Sequence, residues 1–272
     1  MPAHKEYYNP GLSVAIIVIG DNAGKAVNHF KNVVWPKTIK KLFSPDYINI
    51  NYVADMSTSD KDMKNMDVIF IVAEFDKDDV HKQIVVSLNC FNELSKNERP
   101  LVIGIEVNPF NTLEKIRDLY KHVLPCLDSL LVTVGKYDFS YQRASESLNM
   151  VLGLLGAPNI VGFDFSDVKF QLSKAGITLL GVGVSAGTRA TLRNATEQII
   201  SSFPLEVYQR DTICIIANFK ASIDGRKLVQ EMSDAVESIE NAIPLDPYSI
   251  IGGSIEADLG DTKQAYLIIS II

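Results

Sequence analysis

The chain has 272 residues, of which 47% are hydrophobic and 22% charged, a composition typical of a folded globular protein. Its formal charge is −7, and no stripe of Lys and Arg interleaved with aromatic residues is present, which argues against nucleic acid as the main partner. The amino-terminal segment has no apolar signal core and the apolar runs are only strand-length, so the sequence predicts a cytoplasmic protein without direct membrane contact.

The first half of the chain alternates predicted strands with helices or polar turns. Most of the strands are continuous β-branched or apolar runs, which are typical of parallel strands covered on both faces. They are LSVAIIVIG at 12–20, YININ at 47–51, DVIFIVA at 67–73, LVIGIEV at 101–107 and SLLVTVG at 129–135. A helix over 21–30 follows the first strand directly, and Asp21 and Asn22 are its expected caps. Strand and helix repeated in this order predict right-handed crossovers and a parallel, three-layer α/β sheet.

A helix over 141–156 ends this pattern. Its apolar residues recur at helical spacing, so one face is expected to be buried; they are Leu148, Val151, Leu152 and Leu155. The second half then predicts strands at 174–187, 212–221, 248–258 and 264–272, with helices at 188–202 and 225–243. We therefore expect a Rossmann-like domain over 10–140, a junction helix over 141–157 and a smaller α+β domain over 158–272.

Two turns at the ends of predicted strands raise the question of function. In doubly wound α/β proteins, ligand phosphate sits at such turns, where glycine lets backbone N–H groups close on the anion. The turn EFDKDDVHK at 74–82 instead has four acids and no glycine. The turn GDNAGKA at 20–26 fails the P-loop spacing and lacks its Ser or Thr, so a capped strand-to-helix turn is the plainer interpretation.

Motifs in the second half indicate a known family. GFDFSDV at 162–168 and IISSFPLE at 199–206 resemble an acidic junction loop, N-x-D-F-x-D-V, and the end of a helix in FtsZ, the bacterial homologue of tubulin. GGSIEADLGDTKQAYLIISI at 252–271 resembles the final hairpin, with its acidic turn between two strands. Upstream, VIGDNAGKAVNHF at 18–30 resembles the first nucleotide loop, and NPFNTLEKIR at 108–117 a loop after the fourth strand.

This resemblance covers nearly the whole chain. It implies a tubulin/FtsZ-type α/β fold: a parallel-sheet amino-terminal domain of the FtsZ GTPase type, a central junction helix and a smaller α+β carboxy-terminal domain. The family's glycine-rich signature loop, which holds the GTP phosphates, matches residues 74–82 here. Side chains there would block the phosphates, and carboxylates would repel them. We therefore expect most of the GTP pocket to be dismantled.

Some pocket positions remain, and the resemblance marks them as a vestigial GTP site. They are Gly20, Asn22, Gly24, Lys25, Asn28 and Arg117. Asp21 falls where phosphate would sit, and the family's guanine-binding pair falls near Arg143 and Ala144. No bound cofactor and no GTP hydrolysis are therefore expected, with GTP and Mg²⁺ as the alternative.

Two acids of the junction loop are retained. Asp164 and Asp167 match the family acids that reach the GTP of the next subunit in a filament and position the attacking water there, although Gly162 replaces the family's asparagine. The resemblance thus implies catalytic residues offered to a neighbouring subunit. The alternative is that both acids cap the helix that follows them.

Other candidate motifs are interpreted as structural. The four histidines and three cysteines are dispersed without metal-ligand spacing, so no metal site is expected and the cysteines indicate buried free thiols in a reducing compartment. EADLGD at 256–261 is too short for a calcium loop and is interpreted as a charged hairpin turn. GVGVSAG at 181–187 is interpreted as a tight turn rather than a dinucleotide loop.

These observations favour an FtsZ-like protein of the cytoskeletal, cell-division type with GTP binding impaired or lost. It would assemble with itself, or join or cap filaments of a competent FtsZ, through head-to-tail contacts. One alternative is a GTPase that assembles with GTP held atypically by Lys25, Lys77 or Arg117. A second is a protein-binding scaffold that does not polymerise.

Overall fold

The computed structural model describes residues 11–38, 48–53, 63–75, 78–88, 99–107, 127–133, 140–156, 165–173, 176–203, 212–243 and 249–271. Their strands form one sheet in the order β2-β1-β3-β4-β5-β6-β9-β7-β8. The bounds are β1 Leu12–Ile19, β2 Ile48–Val53, β3 Val68–Ala73, β4 Leu101–Glu106, β5 Ser129–Thr133, β6 Gly176–Ser185, β7 Thr212–Ala221, β8 Ile250–Ile255 and β9 Lys263–Ile271. Strands β1 to β5 are parallel, as expected, and β6 pairs parallel with β5 in the same sheet.

Helices cover the sheet on both faces. They are α1 Asp21–His29, α2 Trp35–Thr38, α3 Asp78–Leu88, α4 Ser140–Gly156, α5 Phe165–Leu172, α6 Leu192–Ser202 and α7 Gly225–Ala242. A π-helical turn, Phe30–Val34, joins α1 to α2. One buried apolar cluster packs α3, α6 and α7 on one face, and a second packs α1, α4 and α5 on the other. The predicted three-layer arrangement is confirmed.

The face of α4 follows its sequence pattern. Leu148, Val151, Leu152 and Leu155 are all buried in the cluster shared with α1. In β1 the side chains alternate between the two clusters, Val14 and Ile16 on the α1 side and Ala15 and Ile17 on the other, because successive strand residues point to opposite faces. The division into two domains at α4 stays a prediction.

Glycines in β6 bring α6 unusually close to the sheet. A Cβ at Gly183 would lie 1.9 Å from the backbone oxygen of Ala195, and one at Gly181 would lie 2.1 Å from Cγ2 of Ile199. Residues 181–185 continue the strand, so the predicted tight turn at 181–187 is wrong. The glycines serve helix packing, and the chain turns only after Ser185.

The last two strands, β8 and β9, do not form a hairpin. β9 is antiparallel to both β6 and β7, and β8 pairs parallel with β7, so β7 lies between β8 and β9. The acidic segment at 256–261 forms a 3-10 turn, Ala257–Leu259, within a connection that crosses over β7. The expected hairpin is therefore wrong, because β7 lies between β8 and β9 and pairs with both of them.

Two helix starts also differ from prediction. Gly20, with φ 100°, occupies the N-cap position of α1, and no side chain caps that helix. Neither Asp21 nor Asn22 is a cap, because Asp21 is already in the first turn and the Asn22 amide binds elsewhere. α3 begins at Asp78, so the acidic turn is shorter than predicted, and acids at a helix start are favoured by its positive end.

In the part of the chain that the structure describes, every helix is too short or too polar to cross a bilayer.

Candidate functional site

The crevice that would hold a ligand lies where β1 and β3 end side by side. Ile19 of β1 pairs with Ala73 of β3, so the residues that follow, Gly20 and Glu74, leave the sheet next to each other. α1 begins at Asp21, immediately after Gly20. The ends of parallel strands and a helix N-terminus together make the usual phosphate site of this architecture.

Glu74 fills this crevice. Its side chain is only 3% exposed, and Oε1 accepts a hydrogen bond of 2.7 Å from Nδ2 of Asn22. A Cβ at Gly20 would lie 2.8 Å from Oε2 of Glu74, so the carboxylate packs against the bare Cα of that glycine. Gly20 is therefore needed twice, for its positive φ and for the close approach of the carboxylate.

Lys25 extends this contact to the surface. Its exposed ammonium donates to Oδ1 of Asn22 at 3.3 Å, while the amide of Asn22 donates to Glu74. A cation, an amide and a carboxylate thus form a chain across the start of α1. Three of the predicted pocket residues, Gly20, Asn22 and Lys25, meet at this point.

The remaining predicted pocket residues do not reach this contact or are not described. Gly24 has open space where a Cβ would project, and Asn28 is exposed further along α1. Arg117 and Lys77 lie outside the described residues. Whether any of the six positions contacts a nucleotide stays a prediction.

Phe75 anchors the start of the loop that follows β3. Its ring is fully buried, and its backbone N–H donates to Oε2 of Glu106 at 3.2 Å. Glu106, at the end of β4, is itself only 3% exposed. A Cβ at Gly104 would lie 2.9 Å from Cζ of Phe75, so that glycine makes room for the ring. The loop that matches the family's glycine-rich run is anchored here by side chains.

The position expected for the guanine base has one apolar and one charged residue. Ala144 is fully buried and offers no polar side-chain atom, whereas Arg143 is partly exposed. Beside it, Ser147 Oγ bonds to Oγ1 of Thr133 and donates to the backbone oxygen of Arg143 at 2.9 Å. The bond between Ser147 and Thr133 ties α4 to β5.

The acid-bearing segment lies at the opposite edge of the sheet. Asp167 is exposed in the first turn of α5, whereas Asp164 lies outside the described residues. Lys169 Nζ donates to the backbone oxygen of Arg99 at 3.2 Å, just before β4 begins, and the guanidinium of Arg99 pairs with Asp128, just before β5. α5 therefore sits at the amino ends of the strands, and the crevice at their carboxyl ends.

A cavity of about 680 Å³ that the sequence did not indicate separates α1 and α4 from β7, β8 and β9. Lys220 pairs there with Glu256 at 2.7 Å and lies over the ring of Tyr266. Burial raises the pKa of the Glu146 carboxyl on α4, while a hydrogen bond with Asn149 and cationic side chains around the cavity act in the opposite direction. The polar residues that interrupt the apolar run of β7, Asn218 and Lys220, were the available signal.

The described residues contain no group of three or more His, Cys, Asp or Glu side chains placed to hold a metal ion. Of the cysteines, Cys90 and Cys126 lie outside those residues.

No family model matches the chain. It is 24% identical over 189 residues to the cell division protein FtsZ of Haloferax mediterranei, a match that covers 62% of this chain and 49% of that protein. The chain thus spans about half the length of the curated relatives it matches.

Solved structures agree over a larger part of the chain. The FtsZ W319Y mutant of M. jannaschii superposes with a TM-score of 0.67 at 15% identity, covering 96% of this chain and 92% of that one. CetZ2 from Haloferax volcanii, solved as a GTPγS-bound protofilament, gives 0.60 at 14% identity, covering 95% and 92%. The molecule is thus an α/β protein with the tubulin/FtsZ fold.

The chain is thus similar to FtsZ in sequence as well as in fold. The family resemblance and the fold class expected from the sequence are both confirmed.

Proposed function

We propose that this protein is an FtsZ-like assembly protein that associates head to tail without GTP, with itself or on the end of a competent FtsZ filament. The observation that carries the proposal is the crevice between β1 and β3, which the side chain of Glu74 already fills. A reducing cytoplasm, predicted from the unpaired cysteines, is its proposed location.

The residues present do not fit a nucleoside triphosphate. The carboxylate of Glu74 lies in contact with Gly20, so a phosphate oxygen there would overlap it. Moving the phosphate ~4 Å away leaves a repulsion of ~4 kcal/mol per pair of unit charges at an effective dielectric constant of ~20. The buried ring of Phe75 further prevents the loop backbone from closing on the phosphate.

The placement of the two edges supports head-to-tail association. The crevice lies at the carboxyl ends of the strands and Asp167 on α5 at their amino ends, so copies stacked along the strand direction bring unlike surfaces together. Unlike surfaces in contact propagate as open filaments rather than closed dimers. The CetZ2 relative was solved as a protofilament, and an FtsZ of M. jannaschii as a dimer.

The retained acids have a role that depends on the neighbour. In a homopolymer, Asp164 and Asp167 would face a crevice without nucleotide and act only as contact residues. On a competent FtsZ with GTP bound, the same acids would approach the nucleotide of the neighbour, where the family resemblance implies catalysis. A cap of this kind would therefore accelerate hydrolysis at the filament end.

The test combines calorimetry with sedimentation. Titration with GTP and Mg²⁺ into the millimolar range is expected to give no saturable binding tighter than ~100 μM, which corresponds to ~5.5 kcal/mol. Concentration-dependent pelleting is expected to be the same with and without GTP. Saturable binding would favour the atypical GTPase, and a protein that stays in the supernatant, alone and with a competent FtsZ, would favour the scaffold.

A further inference from the structure

The start of α1 carries an anion that belongs to the chain itself. Glu74 is separated by 52 residues from Asn22, yet its carboxylate accepts the Asn22 amide at 2.7 Å and lies against Gly20, the N-cap of α1. Gly20 has no side chain with which to cap this helix. A buried carboxylate is costly unless it is bonded, and the positive end of a helix favours a negative charge.

We propose that Glu74 is an internal anion that takes the place of a bound phosphate. Its carboxylate holds the loop between β1 and α1 in its ordered shape. Glu74 arises from the loop that matches the family's phosphate-binding run, and it enters the crevice from that side. Lys25, through Asn22, adds a positive charge to the same contact. The crevice is thus filled permanently by a covalent part of the chain.

One consequence is regulatory. In a protein whose loop is ordered by a dissociable phosphate, assembly follows the supply of that phosphate. In this chain the loop is ordered from the moment of folding, so assembly responds to protein concentration alone. This consequence rests on the proposed function, whereas the role of Glu74 as an anion does not.

Replacement of the carboxylate tests the role of the anion. Glu74→Ala leaves a space at the end of α1 that acetate or inorganic phosphate can enter. We expect this variant to lower the Tm by about 5 °C, and 50 mM phosphate or acetate to restore at least half of the loss relative to sodium chloride of equal ionic strength. Wild-type protein is expected to show only the small general effect of phosphate on folded proteins.

Glu106→Ala is the matched control. It removes a carboxylate with the same 3% exposure, one strand away, which accepts the backbone N–H of Phe75. Its Tm is expected to fall without specific recovery in phosphate. If Glu74→Ala responds to these anions no more than wild type and Glu106→Ala do, Glu74 does not stand in for an anion.

Glu74→Gln keeps the size of the side chain and an acceptor for Asn22 but removes the charge. It is expected to lower the Tm by a few degrees and to show no response to acetate or phosphate, because the space stays filled. This variant decides the matter even if Glu74→Ala does not fold. A Glu74→Gln protein as stable as wild type would overturn the proposal.

Sedimentation of the same proteins separates this inference from the proposed function. Wild type is expected to pellet in chloride alone, and Glu74→Ala to pellet only when phosphate or acetate is added. If wild type never pellets, alone or with a competent FtsZ, the proposed assembly function is wrong, while the Tm measurements still decide the role of Glu74.

Discussion

Replacement of Phe75 by alanine tests whether the loop that matches the family's phosphate-binding run is part of the core. The ring is fully buried, and the rigid backbone at Gly104 lies close enough that a Cβ there would be 2.9 Å from it. Strands flank the ring, so the space left by its removal cannot collapse fully. The expected loss of stability is about 3–5 kcal/mol, or about 10 °C in Tm for a chain of this size.

Urea unfolding at a protein concentration below assembly measures this loss, and Phe170→Ala is the control. Phe170 lies on α5 and is 47% exposed, so its truncation should cost less than about 1 kcal/mol. If Phe75→Ala costs no more than Phe170→Ala, the ring is not held in the core. The loop would then be free to rearrange around a phosphate, and steric exclusion of GTP by Phe75 would no longer be expected.

Three further predictions concern helix packing, pH dependence and assembly. Gly183→Ala should cost about 2–3 kcal/mol in urea unfolding, because its Cβ would meet the backbone of α6, whereas Gly153→Ala, where nothing lies within 4 Å, should stabilise α4 by about 0.5–1 kcal/mol. Burial raises the pKa of Glu146 above its usual 4.5, so the charged form destabilises the fold as pH rises from that value. Glu146→Gln should therefore have the higher Tm at pH 8, and the advantage should vanish as pH falls below 4.5; an advantage independent of pH would exclude this cause. Asp167→Ala should leave Tm within about 2 °C of wild type, because the side chain is exposed, but should reduce pelleting; equal pelleting would remove Asp167 from the contact.

Most of the fold was predictable because its signal is local. Continuous apolar runs such as Val68–Ala73 are buried on both faces and can be little else than interior parallel strands. The helical spacing in Ser140–Gly156 fixed the buried face of α4. The order of β7, β8 and β9 was not predictable in this way, because a short connection between two strands is common to hairpins and to crossovers over one neighbour.

The site was only partly predictable. Its acidic composition predicted a turn unlike a glycine-rich phosphate loop, but composition alone does not distinguish the four acids from one another. In the structure Glu74 turns inward to Asn22, whereas Asp78 and Asp79 belong to the first turn of α3. The inward turn depends on a partner 52 residues away and on the absence of a Cβ at Gly20, neither of which local pattern reveals.

The described side chains at the crevice do not oppose self-association by charge. Among those near the starts of α1 and α3, Asp21 and Asp79 are exposed, and so are Lys25 and Lys82, which balance them. Glu74 is buried and bonded, so it adds little to the surface field. Asp167 thus meets no net charge from these described side chains, and exposed pairs are in any case screened over about 8 Å at physiological salt. Homotypic assembly is therefore expected to depend only weakly on salt.

Docking of the edge that carries Asp167 on a GTP-loaded neighbour would bring this acid to a triphosphate and its metal ion. Assembly of this kind would depend strongly on salt. A salt series of pelleting, with and without a competent FtsZ, hence distinguishes the two modes of assembly.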